Sequence, residues 1–448
     1  MGRAVLADDG HDRLNVTAAR RAALDILRAV RRGGLADRAL ARARAGLEPG
    51  DRAWLQELVY GTLRLRGRLD HTLETRVRRG LEDLEPDVRD LLRLGAYQLL
   101  AMDGVPDYAA VSQTVELAKE AAPRASGLVN AVLKATAREG WRPAPPYEDD
   151  PVAHLTRWGS HPRWLVERWL ACYGDGARVL VELDNARPDT YLRPVGVPVA
   201  EALQALDAAG IGAEPVALAP DAIRLDPGVD VAAALAAAPA VVQDPAAGLV
   251  ARYTAPPRGA TVLDLCAAPG GKTLALAGES GVRVVATDRS RTRLGRLLEN
   301  ADRLAAQVGR LPLLVAVADA RAPATVPGDV VLVDAPCTGT GTLRRHPDGR
   351  WRVGPRDLET LAALQREMLD AAADRVRPGG LLVYATCSLE PEENEDQVAA
   401  FLDRWDAFAS EPAPPGLDPS LLQDDRLVVL PHEHGMDGAY AARLRRRG

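Results

Sequence analysis

The chain has 448 residues, 47% hydrophobic and 26% charged, an ordinary globular composition with room for about three domains. It contains no apolar run of about 18 residues and no apolar core near Met1, so neither a membrane span nor a secretory leader is expected. Four cysteines without a Cys-x-x-Cys pair (Cys172, Cys266, Cys337, Cys387) argue against a disulfide framework and a metal site, and favour the reducing cytoplasm. The net charge of −6 does not of itself indicate a nucleic-acid partner, so the distribution of charge has to be read along the chain.

Residues 1 to about 14 are polar and are expected to fray. From Thr17 to about Glu139 the pattern is helical: Val88, Leu91, Leu92, Ala96 and Leu99 share a face, and Leu128, Val129, Val132 and Leu133 repeat the spacing. Gly33-Gly34, Pro49-Gly50, Gly80, Gly104 and Pro106 punctuate it. The expected unit is an all-α domain over residues 15–140. It carries two basic runs, Arg28, Arg31, Arg32, Arg38, Arg42 and Arg44, then Arg64, Arg66, Arg68, Arg76, Arg78 and Arg79. These are either solvated helix faces or a surface for RNA phosphates.

A Pro-rich stretch from Gly140 leads to a small α+β module expected over 150–240. Its predicted helices are Pro162–Cys172, Ala177–Asn185 and Ala200–Ala209, and its strands Tyr191–Pro194, Glu214–Leu218 and Ala222–Leu225. Asp244-Pro245 then reads as a helix cap followed by the first helical position. The last unit, 241–448, alternates strand and helix. Strands are predicted at Val262–Cys266, Val282–Thr287, Leu313–Ala318, Val330–Val333 and Leu381–Ala385, with a long helix at Arg356–Val376. That alternation implies an α/β, doubly wound parallel sheet. Leu427 to Arg447 reads as two further antiparallel strands around Gly435–Gly438, with His432 and His434 on one strand face in a structural role.

Ligands of open α/β sheets bind at the carboxyl ends of the strands. The first strand ends in Cys266-Ala267-Ala268-Pro269-Gly270-Gly271-Lys272, a glycine turn that lets backbone approach a ligand. Asp288 ends the second strand, where a ribose would lie, and Asp319 the third, near an adenine edge. Together they point to an adenosine cofactor. Cys337 and Cys387 follow the fourth and fifth strands; if those strands are neighbours, two thiols converge beside the cleft, with Asp334 three residues before one of them. Cys172 and Cys266 read as small buried hydrophobes.

Four linked motifs, Cys266–Lys272, Val333-Asp-Ala-Pro-Cys-Thr-Gly-Thr-Gly341, Arg344-Arg-His-Pro-Asp348 and Tyr384-Ala-Thr-Cys-Ser388 with Glu392-Glu-Asn394, resemble the Sun-type RNA cytosine-5 methyltransferases. Leu92–Leu100 and Val129–Leu133 resemble the NusB-like RNA-binding domain of the bacterial 16S ribosomal RNA member. Ser160–Trp169 and Gln243-Asp-Pro245 are similar to the same member. The resemblance implies a class I, Rossmann-like methyltransferase domain using S-adenosyl-L-methionine, with ribosomal RNA (16S) as partner. It implies a nucleophile at Cys387, a second cysteine assisting product release at Cys337, and cofactor or active-site positions at Cys266 to Lys272, Asp288, Asp319 and Asp334. Transfer RNA, another ribosomal site, or a catalytically silent RNA-binding assembly factor stay open as alternatives. Leu192-Arg-Pro194 and Ala439-Tyr440 depart from the family pattern and bear on RNA contacts.

Overall fold

The computed structural model describes residues 16–448, so the expected fraying of residues 1–14 falls outside it. The chain divides into two compact units: residues up to Asn185 together with His346–Arg352, and Ala186–Arg345 together with Val353–Gly448. Residues 150–185, grouped by the sequence with the middle module, thus belong to the first unit by compactness, and 186–240 to the second.

The first unit is helical. Its helices run Ala18–Arg31, Ala36–Arg44, Pro49–Arg64, Arg66–Glu74, Pro86–Ala101, Asp107–Ala121, Ser126–Glu139, Arg163–Tyr173 and Gly176–Asn185. Pro86 occupies the first position of its helix, where its missing N–H costs nothing, and Asp87 faces the positive end of the helix dipole. Val88, Leu91, Leu92 and Ala96 are buried against Leu24, Leu55, Leu58 and Leu133. Gly61 has to be glycine: a Cβ there would lie 1.8 Å from the Tyr97 hydroxyl, which donates to Glu57 at 2.6 Å.

Most of the basic runs are structural. Arg28 and Arg31 pair with Asp87, and Arg31 also with Asp90. Arg66 and Arg68 lie over the Trp351 and Trp158 rings. Arg76 donates to the carbonyls of Thr72 (2.7 Å) and Gly140 (2.8 Å). Arg32, Arg38, Arg42, Arg78 and Arg79 remain exposed. Helical spacing cannot separate these outcomes, because the acids concerned lie on other helices.

His346–Arg352 enters this unit from far along the chain. Arg350, 1% exposed, donates to the carbonyls of Arg64 and Ser160 (both 3.2 Å) and Asp184 (3.1 Å), and to Asn185 Oδ1 (2.9 Å). His161, fully buried beside Asp184, has its pKa pushed down to about 4 by burial and by Arg350.

The second unit holds two sheets. The small one is built from β1 (Tyr191–Pro194), β2 (Ala213–Val216), β3 (Ala219–Leu225) and β4 (Ala240–Val242) in the order β2-β3-β1-β4, all antiparallel. Helix Val231–Ala237, which is alanine-rich, and strand β4, which is three residues long, carry no period that would mark them in the sequence. Asp244 caps helix Pro245–Thr254 as read, accepting from Ala246 N at 2.9 Å.

The large sheet contains β5 (Thr261–Asp264), β6 (Arg283–Asp288), β7 (Leu313–Val317), β8 (Gly328–Asp334), β9 (Val376–Thr386), β10 (Phe408–Ser410), β11 (Leu422–Gln423), β12 (Arg426–Val429) and β13 (Ala439–Arg446). Its order is β11-β12-β13-β9-β8-β5-β6-β7, with β10 on β13. The run β9-β8-β5-β6-β7 is parallel, and β13 adds antiparallel to β9. Strand order reverses between β5 and β8, which opens a crevice at their carboxyl ends. One expectation fails here: His432 and His434 lie on a helical turn, Pro431–His434, between β12 and β13, and not along a strand. Pro431 starts the turn and Gly435, at φ 72°, ends it.

Candidate active site

The site lies wholly in the second unit, at the carboxyl ends of β5, β6, β8 and β9. Asp264 closes β5 and is 1% exposed; it accepts from Thr273 Oγ1 at 2.6 Å and from the Cys266 amide at 3.3 Å. Burial raises its pKa to about 7. Burial, with Asp264 close by, also pushes the Cys266 thiol up. The chain then turns through Ala267, Ala268, Pro269 and Gly270 into helix Gly271–Ala277. Gly270 has φ +113°, and a Cβ on it would lie 2.8 Å from Leu297 Cγ.

Asp288, 4% exposed at the end of β6, binds the turn itself. It accepts from Ser290 N at 2.7 Å and from Ala268 N at 3.3 Å, with Arg293 Nη1 at 3.6 Å. Asp319 follows β7 and is half exposed; Arg321 holds it through Nε at 3.1 Å and Nη2 at 2.8 Å. Those hydrogen bonds pull the Asp319 carboxyl down to about 2.

Across the crevice, Lys272 Nζ donates to Asp334 Oδ2 at 2.8 Å. Burial acts to lower the lysine pKa, but the Asp334 carboxylate outweighs it, Cys387 and Asp264 add to the effect, and the net shift is upward. Strands β8 and β9 are parallel neighbours, with Asp334 level with Ala385. Their continuations therefore run side by side, and Cys337 Sγ lies 3.4 Å from Cys387 Sγ. The contact with Cys387, with burial, pushes the Cys337 thiol well above its usual range.

Glu393, with no exposed surface, holds both thiol loops. It accepts from Thr338 N (2.9 Å), from Thr338 Oγ1, and from Gln365 Nε2 (2.9 Å). Beside it, Thr386 Oγ1 donates to Asn394 Oδ1 at 2.6 Å, and Asn394 Nδ2 donates to the Ser388 carbonyl at 3.0 Å. The glycines of the Cys337 loop permit close approach: Gly341 N donates to the Cys387 carbonyl at 3.0 Å, and a Cβ on Gly341 would lie 2.7 Å from Gly438 Cα. Arg345 pairs with Asp244 (2.6 Å) and Asp437 (2.9 Å) and donates to the Asp189 carbonyl (2.9 Å), fixing the far end of this loop. The sequence marks Glu392-Glu-Asn394 and Arg344–Asp348 as motifs, yet nothing local assigns these jobs. The one hint was an acid-rich turn directly after a thiol strand.

The structure thus brings Lys272, Asp334, Cys337 and Cys387 together, and sets Cys266–Gly271 on the adjoining turn, with Asp288 at the end of β6 bonded to it. Among the described residues, no group of three or more His, Cys, Asp or Glu converges as a metal site. No helix among them is long and apolar enough to cross a membrane. A nucleoside cofactor suits the turn: it is lined with backbone at two glycines, and Gln243 Nε2 lies 2.8 Å from where a Gly271 Cβ would be. Gln243 Oε1, on the side of Gly248, is buried without a hydrogen-bond partner.

Three family models match the chain in succession: the NusB family over residues 17–138, the RsmF/B-like ferredoxin-like domain over 161–232, and 16S rRNA methyltransferase RsmB/F over 251–445. The chain is 39% identical to ribosomal RNA small subunit methyltransferase B of Vibrio cholerae, over 96% of this chain and 97% of that one. It is 39% identical to the protein of the same name from Salmonella typhi, over 82% and 85%. Among solved structures, PH0851 superposes with a TM-score of 0.77 at 26% identity, covering 96% of this chain and 99% of that one. A methyltransferase homolog protein from Pyrococcus horikoshii gives 0.54 at 26%, covering 65% and 97%.

Proposed function

Because the chain belongs to the RsmB/F family of 16S rRNA methyltransferases, we propose that it methylates carbon 5 of a cytosine in 16S ribosomal RNA through a covalent cysteine adduct. The observation that carries the chemistry is the pair of thiols 3.4 Å apart beside the Lys272–Asp334 ion pair. S-adenosyl-L-methionine, the methyl donor in this reading, supplies an electrophilic methyl group. Residues Cys266 to Gly271, with Asp288 and Asp319, would hold it.

Carbon 5 of cytosine is a poor nucleophile. Addition of the Cys387 thiolate to carbon 6 makes carbon 5 enamine-like, so that it would take the methyl group as the sulfur–methyl bond breaks and S-adenosylhomocysteine leaves; a hard step is split into two easier ones. Two groups favour the thiolate. Lys272, kept as an ammonium by Asp334, supplies positive charge close to Cys387. Cys337, whose own ionisation is suppressed, enters as a thiol that donates to the Cys387 sulfur. Asp334 accepts from the exocyclic amino group of the base. After transfer the proton on carbon 5 leaves to a base near Cys337, or to Cys337 once it has given up its own proton, and the carbon–sulfur bond to Cys387 breaks as the 5,6 double bond re-forms. The cytosine has to be splayed out of the RNA to reach the thiols. In this division of labour residues 15–140 engage RNA and 241–448 carry out the transfer.

Bisulfite mapping of total RNA from cells with and without the gene tests the reading. One cytosine of 16S RNA should be protected only when the gene is present. An unchanged 16S map, or a changed transfer RNA instead, overturns the assigned substrate.

A further inference from the structure

The helical unit contains a cavity of about 380 Å³, remote in sequence from the catalytic turns. Its wall is formed by the helices Ala18–Arg31, Pro49–Arg64, Arg66–Glu74 and Pro86–Ala101, and by Trp351 and Arg352 of the segment that joins this unit. Pockets for small ligands run from roughly 300 to 1,000 Å³.

Most charges on the wall are matched. Arg31 pairs with Asp87 and Asp90, Arg93 with Asp70 and Asp90, and Arg352 with Asp348. Three polar groups are not. The Arg66 guanidinium lies 4.8 Å from the centre of the Trp351 ring, and its nearest carboxylate oxygen, on Asp70, is 3.9 Å away, beyond hydrogen-bond reach. Burial, with Arg93 close by, lowers its pKa to about 10, although Asp70 and Asp90 act to raise it. Arg89 gives Nη1 to Glu82 at 3.0 Å, but its Nε is buried without a partner. Thr62 Oγ1 is also buried without a partner. A helical threonine ordinarily donates to the carbonyl four residues back, as Thr114 does to Ala110 (2.7 Å) and Thr136 to Val132 (2.9 Å) in the same unit.

The lining residues themselves carry five arginines against one aspartate, and arginine forks suit phosphate, an anion with several acceptor oxygens. The rest of the wall is apolar: Leu27, Val30, Leu63, Pro86 and the Trp351 ring. An apolar wall beside a cationic corner fits a flat base joined to a phosphate. We propose that this cavity binds one nucleotide, its phosphate on Arg66 and Arg89 and its base against the Trp351 side. The nucleotide is either one residue of an RNA strand or a free mononucleotide.

Calorimetry on the full chain at low ionic strength tests this with adenosine 5′-monophosphate, adenosine, and a short mixed-sequence RNA. The monophosphate should bind at least about ten-fold more tightly than adenosine. Arg66→Met and Thr62→Val should each weaken it by about ten-fold. Thr62→Val gives up no hydrogen bond within the protein, so its melting temperature should not fall, and it remains informative if Arg66→Met folds poorly. If RNA affinity falls in parallel and the monophosphate competes with RNA, the ligand is an RNA residue. If the monophosphate is lost while RNA binding is unchanged, the ligand is a free mononucleotide. Absence of monophosphate binding by the wild type, or equal binding by both variants, overturns the proposal. Only the RNA arm rests on the methyltransferase reading; the monophosphate arm stands without it.

Discussion

Lys272 Nζ and Asp334 Oδ2 lie 2.8 Å apart, joining the turn after β5 to the end of β8 across the point where strand order reverses. Both side chains are mostly withdrawn from water, at 16% and 31% exposure, so each is the main counter-charge of the other. Lys272→Met leaves a half-buried carboxylate without its partner. Thermal unfolding should record a loss of about 1–3 kcal/mol, below the cost of a fully buried broken pair. Methyl transfer should fall by about a hundred-fold or more, because the cation beside Cys387 is gone. Activity within a few-fold of wild type would remove Lys272 from the reaction.

The two thiols touch yet are assigned different work. Cys387→Ala should form neither methylated product nor covalent RNA complex. Cys337→Ala should still attack and methylate but release product slowly, so a band retarded on a denaturing gel should accumulate. A retarded band from Cys387→Ala and none from Cys337→Ala would reverse the two roles.

Glu393 accepts from three donors with no exposed surface. Glu393→Gln turns one acceptor into an amide donor that faces donors already present. The expected cost is about 1.5–3 kcal/mol, the range for hydrogen bonds to a charged group. The loosened Cys337 loop should lower turnover by more than it lowers substrate affinity. Turnover equal to wild type, measured well below the melting temperature, would mean the buried carboxylate serves stability alone.

Asp264 gives a pH signature. Its folded pKa, about 7, lies above the ordinary carboxylate value, so between about pH 4 and pH 7 the folded chain holds a proton that the unfolded chain has lost. Its contribution to stability is therefore full below pH 4 and falls away as pH rises through 7. Relative to Asp264→Asn, wild type should lose stability on going from pH 5 to pH 8, as followed by chemical unfolding at each pH. Parallel curves for the two proteins would contradict a raised Asp264 pKa.

Asp288 holds the Ala268 amide of the turn, and in the proposed reading it also receives the ribose of the cofactor. Asp288→Ala should weaken S-adenosylmethionine by about 1–3 kcal/mol in calorimetry, through hydroxyls left without a partner and a slackened turn. Unchanged affinity would place the nucleoside elsewhere.

What the sequence by itself determined was the local chemistry of the strands and their ends. Val330–Val333 and Leu381–Ala385 are apolar runs that stop at Asp334 and Thr386, because a strand buried on both faces is apolar until it leaves the sheet. Glycine turns, helix caps and the order of motifs are local in the same sense, and with them came the family. What only the tertiary structure decided were the partners. The thiols meet because β8 and β9 are neighbours, a fact of strand order that no spacing along the chain contains. By sequence the two arginine runs are either solvated helix faces or a surface for RNA phosphates, but Asp87, Asp90 and aromatic rings elsewhere took up Arg28, Arg31, Arg66 and Arg68. The sequence ends the all-α domain at residue 140, yet Arg68 Nε donates to the Trp158 carbonyl and Gly67 N to Ser160 Oγ, both 2.8 Å bonds inside one unit. Arg350 reaches the carbonyl of Arg64, 286 positions away. Local sterics and hydrophobic period fix what a segment is; which charges end up matched or left bare depends on contacts between segments, and those exist only once the chain has closed.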